Sequence, residues 1–286
     1  MTAPVPARDP GSVDAEREAI ETDLLLEAVY RFYGFDFREY ARPSLRRRLA
    51  RRLTLEGLPT LSALQERLLH DAECMERLLL DLSINVTAMF RDPSFFRVFR
   101  TKVVPLLRTY PFIRIWSAGC STGEETYSLA ILLREEGLYD RTRIYATDIN
   151  EAVLVQARQA LFPLEKMQEY TENYLASGGT RAFSEYYVAA YEGAQFDRSL
   201  GDNIVFARHN LATDRSFNEF QVVVCRNVMI YFDMSLQNRV HDLFYESLQR
   251  LGVLALGPKE SLAFTSHADD YDVLDGENKL FRRKAR

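Results

Sequence analysis

Cysteine is scarce: Cys74, Cys120 and Cys225 are odd in number and widely scattered, so the chain offers neither a disulfide framework nor a zinc spacing. The four histidines are equally dispersed, which argues against a metal site. No apolar stretch approaches the ~20 residues that a membrane-spanning helix needs, and the N-terminal M-T-A-P-V-P-A-R-D-P-G-S lacks the apolar core of a signal peptide. A cytoplasmic protein with no membrane insertion is therefore expected. Charge of one sign is also missing, since a net charge of -5 is mild and argues against wholesale nucleic-acid binding. What the chain does have is apolar residues, 47% of 286, enough for a substantial core and two modest domains.

The most informative segment is F-I-R-I-W-S-A-G-C-S-T-G-E-E-T-Y-S-L-A-I-L-L, residues 112 to 133. It reads as a buried strand, a turn of small residues and a helix with an inward face built on Tyr127, Leu129, Ala130, Leu132 and Leu133. Ala118, Gly119, Ser121, Thr122 and Gly123 let the backbone approach a ligand. Downstream, R-I-Y-A-T-D-I-N ends an apolar strand on Asp148, where a doubly wound sheet hydrogen-bonds the ribose of a bound nucleoside. The glycines are spaced G-x-x-x-G, not G-x-G-x-x-G as in a dinucleotide fold. Glu124 and Glu125 in the first helical turn would repel a pyrophosphate but accept hydrogen bonds from an ammonium group. A ligand with a cationic end, such as S-adenosylmethionine, fits better than NAD. The alternative is that the two acids merely complement the helix dipole.

Composition divides the chain into a disordered, proline-rich tail over residues 1–18, a helical domain over 19–92 and an α/β domain over 93–286. In the helical part a second helix is expected near Pro43, with Leu45, Leu49 and Leu53 as its inward stripe. Arg46, Arg47, Arg48, Arg51 and Arg52 cover much of the rest, and an exposed positive surface in an acidic protein implies an acidic partner, unless it is a solvated, salt-bridged face. Arg91, set among apolar residues in N-V-T-A-M-F-R-D, calls for an anion or a nearby acid. Beyond Asp148 strands and helices alternate, so a mostly parallel sheet is expected, with Asp148, Asn210 and Asn227 at the ligand-binding ends of strands. The tyrosine-rich stretch from about 163 to 203 reads as a small antiparallel insertion.

Five motifs in this order, N-V-T-A-M-F-R-D, W-S-A-G-C-S-T-G-E-E-T-Y-S, A-T-D-I-N, H-N-L and C-R-N-V-M-I-Y-F-D, make residues 20 to 286 resemble the chemotaxis receptor methyltransferase family, CheR. The resemblance implies an all-α N-terminal domain followed by a class I, Rossmann-like methyltransferase domain with an inserted β-subdomain. It also implies transfer of a methyl group from S-adenosylmethionine to glutamates on the cytoplasmic helices of chemoreceptors, with S-adenosylhomocysteine as product. Asn85, Thr87 and Arg91 would then lie at the methionine end of the cofactor, Ala118, Gly119 and Glu124 along its methionine portion, and Asp148 on the ribose. Asn210 and Leu211 would frame the adenine, Arg226, Asn227 and Tyr231 would close the site, and Arg91 and Tyr231 would serve transfer. The chain departs from the family pattern at Thr126, at Met89-Phe90 and at G-P-K-E, residues 257 to 260. Two other readings share the cofactor fold: a nucleic-acid methyltransferase, whose adenine-modifying members usually carry N-P-P-Y where this chain has R-N-V-M-I-Y, and a non-catalytic S-adenosylmethionine-binding module.

Overall fold

Residues 10–83, 87–190 and 193–285 are described by the computed structural model, and the chain forms two compact units that divide between residues 84 and 85. The first unit is all helical: α1 (Pro10–Tyr33), α2 (Arg42–Glu56), α3 (Leu61–His70) and α4 (Ala72–Leu82). Local chemistry sets their ends. Thr60 and Asp71 accept hydrogen bonds from the amides of Ala63 and Cys74 as N-caps of α3 and α4, and Gly57 ends α2 in the left-handed region at φ 66°. Pro43 sits in the first turn of α2 as expected. The core is aliphatic, with Leu25, Leu26, Leu45, Leu49, Leu64, Leu68 and Leu78 all buried.

Two expectations change here. Residues 10 to 18, assigned to a disordered tail, belong to α1, where Arg17 pairs with Asp14 one turn away and Glu18 pairs with Arg46 of α2. Residues 87–92, assigned to the helical domain, belong to the second unit: Met89 and Phe90 are fully buried in its core, and the Phe90 amide donates to Ser128 Oγ at 2.8 Å.

The second unit opens with α5 (Pro93–Val98), a π-helical turn over Phe99–Val103 and α6 (Val104–Leu107). Then follow β1 (Ile113–Ala118), α7 (Glu124–Glu135), β2 (Thr142–Asp148) and α8 (Glu151–Gln159). The insertion contains β3 (Leu161–Phe162), α9 (Met167–Ala176), β4 (Tyr187–Ala190) and β5 (Gly193–Phe196). The chain closes with β6 (Ile204–Arg208), β7 (Phe220–Cys225), α10 (Met234–Ser247), β8 (Leu248–Leu256), β9 (Tyr271–Asp275) and β10 (Leu280–Arg283). One seven-stranded sheet runs β6-β2-β1-β7-β8-β10-β9, parallel from β6 to β8 and antiparallel at β10 and β9. Every residue of β7 is buried, as a central parallel strand covered on both faces requires.

The insertion is antiparallel in the order β3-β5-β4, and its tyrosines have a packing reason. Tyr170, Tyr174 and Tyr186 are buried, and the hydroxyls of Tyr174 and Tyr186 both donate to Glu135 at the end of α7. Helix α9 was not anticipated, because M-Q-E-Y-T-E-N-Y-L-A has a weak apolar period that only packing of its tyrosines resolves.

Candidate active site

The carboxyl ends of β1, β2, β6 and β7 bring the expected site residues of the second unit together. After Ala118 the chain turns through Gly119 (φ 75°), Ser121 (φ 51°) and Gly123 (φ 97°) into α7. The Gly119 and Cys120 amides donate to the Thr147 carbonyl at 2.7 and 2.9 Å, which ties the turn to the tip of β2. A Cβ on Gly119 would lie 2.4 Å from Val228 Cγ2, so this glycine makes room for the loop after β7 as well as for a ligand.

Asp148 ends β2 and is 8% exposed. Its Oδ2 accepts from the Ser121 amide at 2.9 Å and its Oδ1 from the Asn150 amide at 3.0 Å. Burial pushes its pKa up while these backbone donors pull it down. The backbone thus orients the carboxylate, and about four lone-pair sites on such a group leave acceptor capacity for a ligand hydroxyl.

The two acids at the start of α7 differ. Glu125 is ion-paired with Arg226 at 2.8 Å. Glu124 is buried, accepts from Thr122 Oγ1 at 2.6 Å and is hydrogen-bonded by Tyr170, yet it forms no ion pair among the described residues. Burial raises its pKa, against the pull of its hydrogen-bond donors.

Arg226, expected among the cofactor ligands, uses its guanidinium internally. It bonds Glu125 at 2.8 Å, Asp92 at 2.7 Å and the Arg91 carbonyl at 3.3 Å, and lies 4.1 Å from the centroid of the Phe95 ring. It ties the 91–92 segment to α7 and to the end of β7. Arg91 therefore sits beside the site: burial raises the pKa of Glu125, and the charges of Arg226 and then Arg91 oppose that rise. Asp92 takes a left-handed backbone at φ 58°. Thr87 is half-buried in the same approach segment, and Asn85 lies outside the described residues.

Asn210 and Leu211, both half-buried, occupy the turn after β6, where Asn210 Oδ1 accepts from the Ala212 amide at 3.0 Å and the His209 amide hangs on the Asp148 carbonyl at 3.0 Å. Asn227 follows Arg226 in the left-handed region at φ 63°, and Tyr231 ends the short helical turn Met229–Tyr231. The residue that organises this loop was missed in the sequence. Glu260, 5% exposed, accepts on Oε1 from the Val228 and Met229 amides at 2.9 and 2.8 Å, and on Oε2 from Asn227 and Gly257 at 3.1 and 2.5 Å. G-P-K-E therefore has a definite job: its glutamate folds the R-N-V-M-I-Y loop. The available signal was an acid four residues past the end of β8, closing the G-P-K-E segment.

The arginine helix is not uniformly exposed, which corrects the expectation. Arg48 and Arg52 are buried: Arg48 donates to the Leu82 carbonyl, and Arg52 binds Asp81 at 2.7 Å, Glu56 at 3.1 Å and the Arg77 carbonyl at 3.1 Å. Arg46, Arg47 and Arg51 are exposed. All three cysteines are free and buried, no cluster among the described residues has the make-up of a metal site, and no described helix is long and apolar enough to cross a membrane.

The family profile of the CheR methyltransferase SAM-binding domain matches residues 85–280, and that of the CheR methyltransferase all-alpha domain matches residues 20–83. A Pseudomonas putida protein named "Putative methyltransferase Cher3" is 53% identical over 264 residues, covering 92% of this chain and 97% of that protein. Chemotaxis protein methyltransferase 2 of Pseudomonas aeruginosa is 32% identical, with 84% of this chain and 86% of that protein covered. The chemotaxis protein methyltransferase of Listeria innocua is 31% identical, with 85% and 91% covered. With a class I sheet, a binding turn of its own and both domain profiles matched, the chain belongs to the CheR family of S-adenosylmethionine-dependent methyltransferases.

Proposed function

We propose that this protein transfers the methyl group of S-adenosylmethionine to glutamate side chains on the cytoplasmic helices of chemoreceptors, leaving glutamate methyl esters and S-adenosylhomocysteine. The observation that carries this reading is Glu124, a buried carboxylate without an ion pair among the described residues, at the turn where an ammonium-bearing ligand would lie. Asp148 takes the ribose hydroxyls, Ala118 and Gly119 line the methionine portion, and Asn210 and Leu211 frame the adenine. Thr87 and Arg91 close the methionine end, Asn227 borders it from β7, and Arg226 acts by holding Arg91 and Glu125 in register. Relatives named chemotaxis protein methyltransferase support a substrate in chemotaxis, and cytoplasmic receptor helices would put the reaction in the cytoplasm.

The sulfonium of the cofactor supplies an electrophilic methyl and a neutral thioether leaving group. A substrate glutamate, with a reference pKa of ~4.3, is already ionised at neutral pH, so no side chain has to act as general base. The protein's task is to position and desolvate. Arg91 and Tyr231 orient the attacking carboxylate, within the limit that too firm a grip on the ground-state anion would lower its nucleophilicity. Arg46, Arg47 and Arg51 meet the acidic surface of the receptor helix.

The deciding experiment is incubation of the full chain with methyl-labelled cofactor and a receptor cytoplasmic fragment. Base-labile label on the receptor is expected. Stable label on RNA or DNA instead would make the protein a nucleic-acid methyltransferase, and cofactor binding without any transfer would make it a binding module.

A further inference from the structure

The loop from Gly257 to Asp270, between β8 and β9, is firmly held. At one end Glu260 gathers the amides of Gly257, Asn227, Val228 and Met229. At the other, Ser266 Oγ donates to Asp242 on α10 at 2.6 Å. His267 stacks on Tyr245 with 3.9 Å between ring centroids and lies 3.2 Å from Asp242 and 2.9 Å from Asp270. Leu262 is buried, and a tight turn closes where the Thr265 amide and hydroxyl both donate to the Leu262 carbonyl, at 3.2 and 2.7 Å.

Phe264 stands at the apex of that turn, 92% exposed, in the left-handed region at φ 67°. Its ring has no aromatic or cationic neighbour among the described residues. A turn needing this backbone takes glycine or asparagine without steric penalty. Phenylalanine instead carries two costs at once, an unfavourable backbone and a solvated ring, and it carries them in a loop too well anchored to let the ring fold away.

We infer that Phe264 is a docking residue for the protein substrate, packing on an apolar position of the helix whose carboxylate is methylated. This rests on the function proposed above. Position supports it. Phe264 is four residues from Glu260, within about 14 Å by chain reach, and Glu260 holds the loop that leads through Asn227 to Tyr231. Met234, the first residue of α10 and three past Tyr231, is 54% exposed and adds an apolar side chain beside Tyr231. A single protruding ring forms no cavity for a small molecule. It suits a broad, shallow surface, and amphipathic helices present alternating acidic and apolar positions on adjoining faces.

The test compares the wild-type full chain with Phe264→Ala, Phe264→Gly and Phe264→Leu, using methyl-labelled cofactor and a receptor cytoplasmic fragment. Loss of the ring is expected to raise KM for the receptor about tenfold in the alanine and glycine variants and less in the leucine variant. Turnover at saturating receptor and cofactor affinity should stay within about twofold of wild type, and the glycine variant should melt no lower than wild type. Unchanged KM in the alanine and glycine variants overturns the docking role. So does a loss confined to turnover or cofactor affinity, which would make the loop part of the cofactor site. If the wild-type chain itself fails to methylate the receptor, the proposed function falls and the docking role with it.

Discussion

Asp148 and Glu124 show how two similar side chains acquire different tasks from their surroundings. Backbone amides of Ser121 and Asn150 orient Asp148, whereas Glu124 is held by the hydroxyls of Thr122 and Tyr170 together with its own backbone amide. Both are buried carboxylates with neutral donors, so each has acceptor capacity for a polar or cationic ligand group. Asp148→Ala is expected to weaken cofactor binding by about 2 kcal/mol, the scale of a lost charged hydrogen bond, with the fold retained. Calorimetry of the purified variant checks this, and an unchanged dissociation constant would remove Asp148 from the ribose site.

At the level of elements, a loop and a helix carry testable consequences. The loop after β7 has Asn227 in a left-handed backbone, and it stays in place because Glu260 accepts two amides on each oxygen. Glu260→Gln puts an amide group against two of those donors and leaves them unsatisfied in a buried setting, at about 1–3 kcal/mol each. A lower melting temperature and weaker cofactor binding are expected, and a variant normal in both would show that the loop holds itself. Helix α2 divides its arginines by depth. Reversing Arg46, Arg47 and Arg51 should raise the Michaelis constant for receptor, increasingly so at low salt, without touching cofactor affinity. Arg52→Ala should instead destabilise the helical unit, because Asp81 and Glu56 lose their buried partner. Equal effects of the two sets on substrate affinity at full stability would contradict the division.

For the whole molecule, acid separates the two units. In the helical unit Arg77 and Arg52 hold Glu56 down to about 2, and hydrogen bonds lower Glu27 and Asp71 as well. A carboxylate with a lowered folded pKa stabilises above its ordinary value, here 4.5 for Glu56, and that contribution is lost as pH falls towards 2. In the second unit Lys102 likewise holds Asp275 at about 2, but burial raises Glu124, Asp148 and Glu260. Acids with raised folded pKa values act in the opposite sense: their stabilising contribution is complete below the unfolded pKa and is lost as pH rises through the folded one. The losses and gains offset in the second unit and add up to loss in the first. The share of the helical circular dichroism that α1–α4 contribute is therefore expected to be lost at a higher pH than the fluorescence of Trp116 changes, the single tryptophan, buried in the second unit. Coincident transitions would refute this.

The binding turn, the acid ending β2 and the alternation of strands with helices were legible in the amino acids because each depends on neighbours a few residues apart. Glycine spacing, an apolar run ending on an acid and a helix opening with two glutamates are local chemistry, and the five CheR-like motifs built on them identified the family and its cofactor. Depth and partnership were decided elsewhere. The exposed arginines of α2 and the buried Arg48 and Arg52 share one amphipathic pattern until Asp81 and Leu82 are packed against the helix. Arg226 looks like a ligand-binding cation until Asp92 and Glu125 meet it across more than 100 residues of chain. Glu260 is one acid among many until folding brings the amides of Asn227, Val228 and Met229 to it. Sequence alone determined which local geometries and chemistries were available. The tertiary structure decided which charges were already paired, because burial and long-range contact, unlike periodicity, leave no mark on the residues beside them.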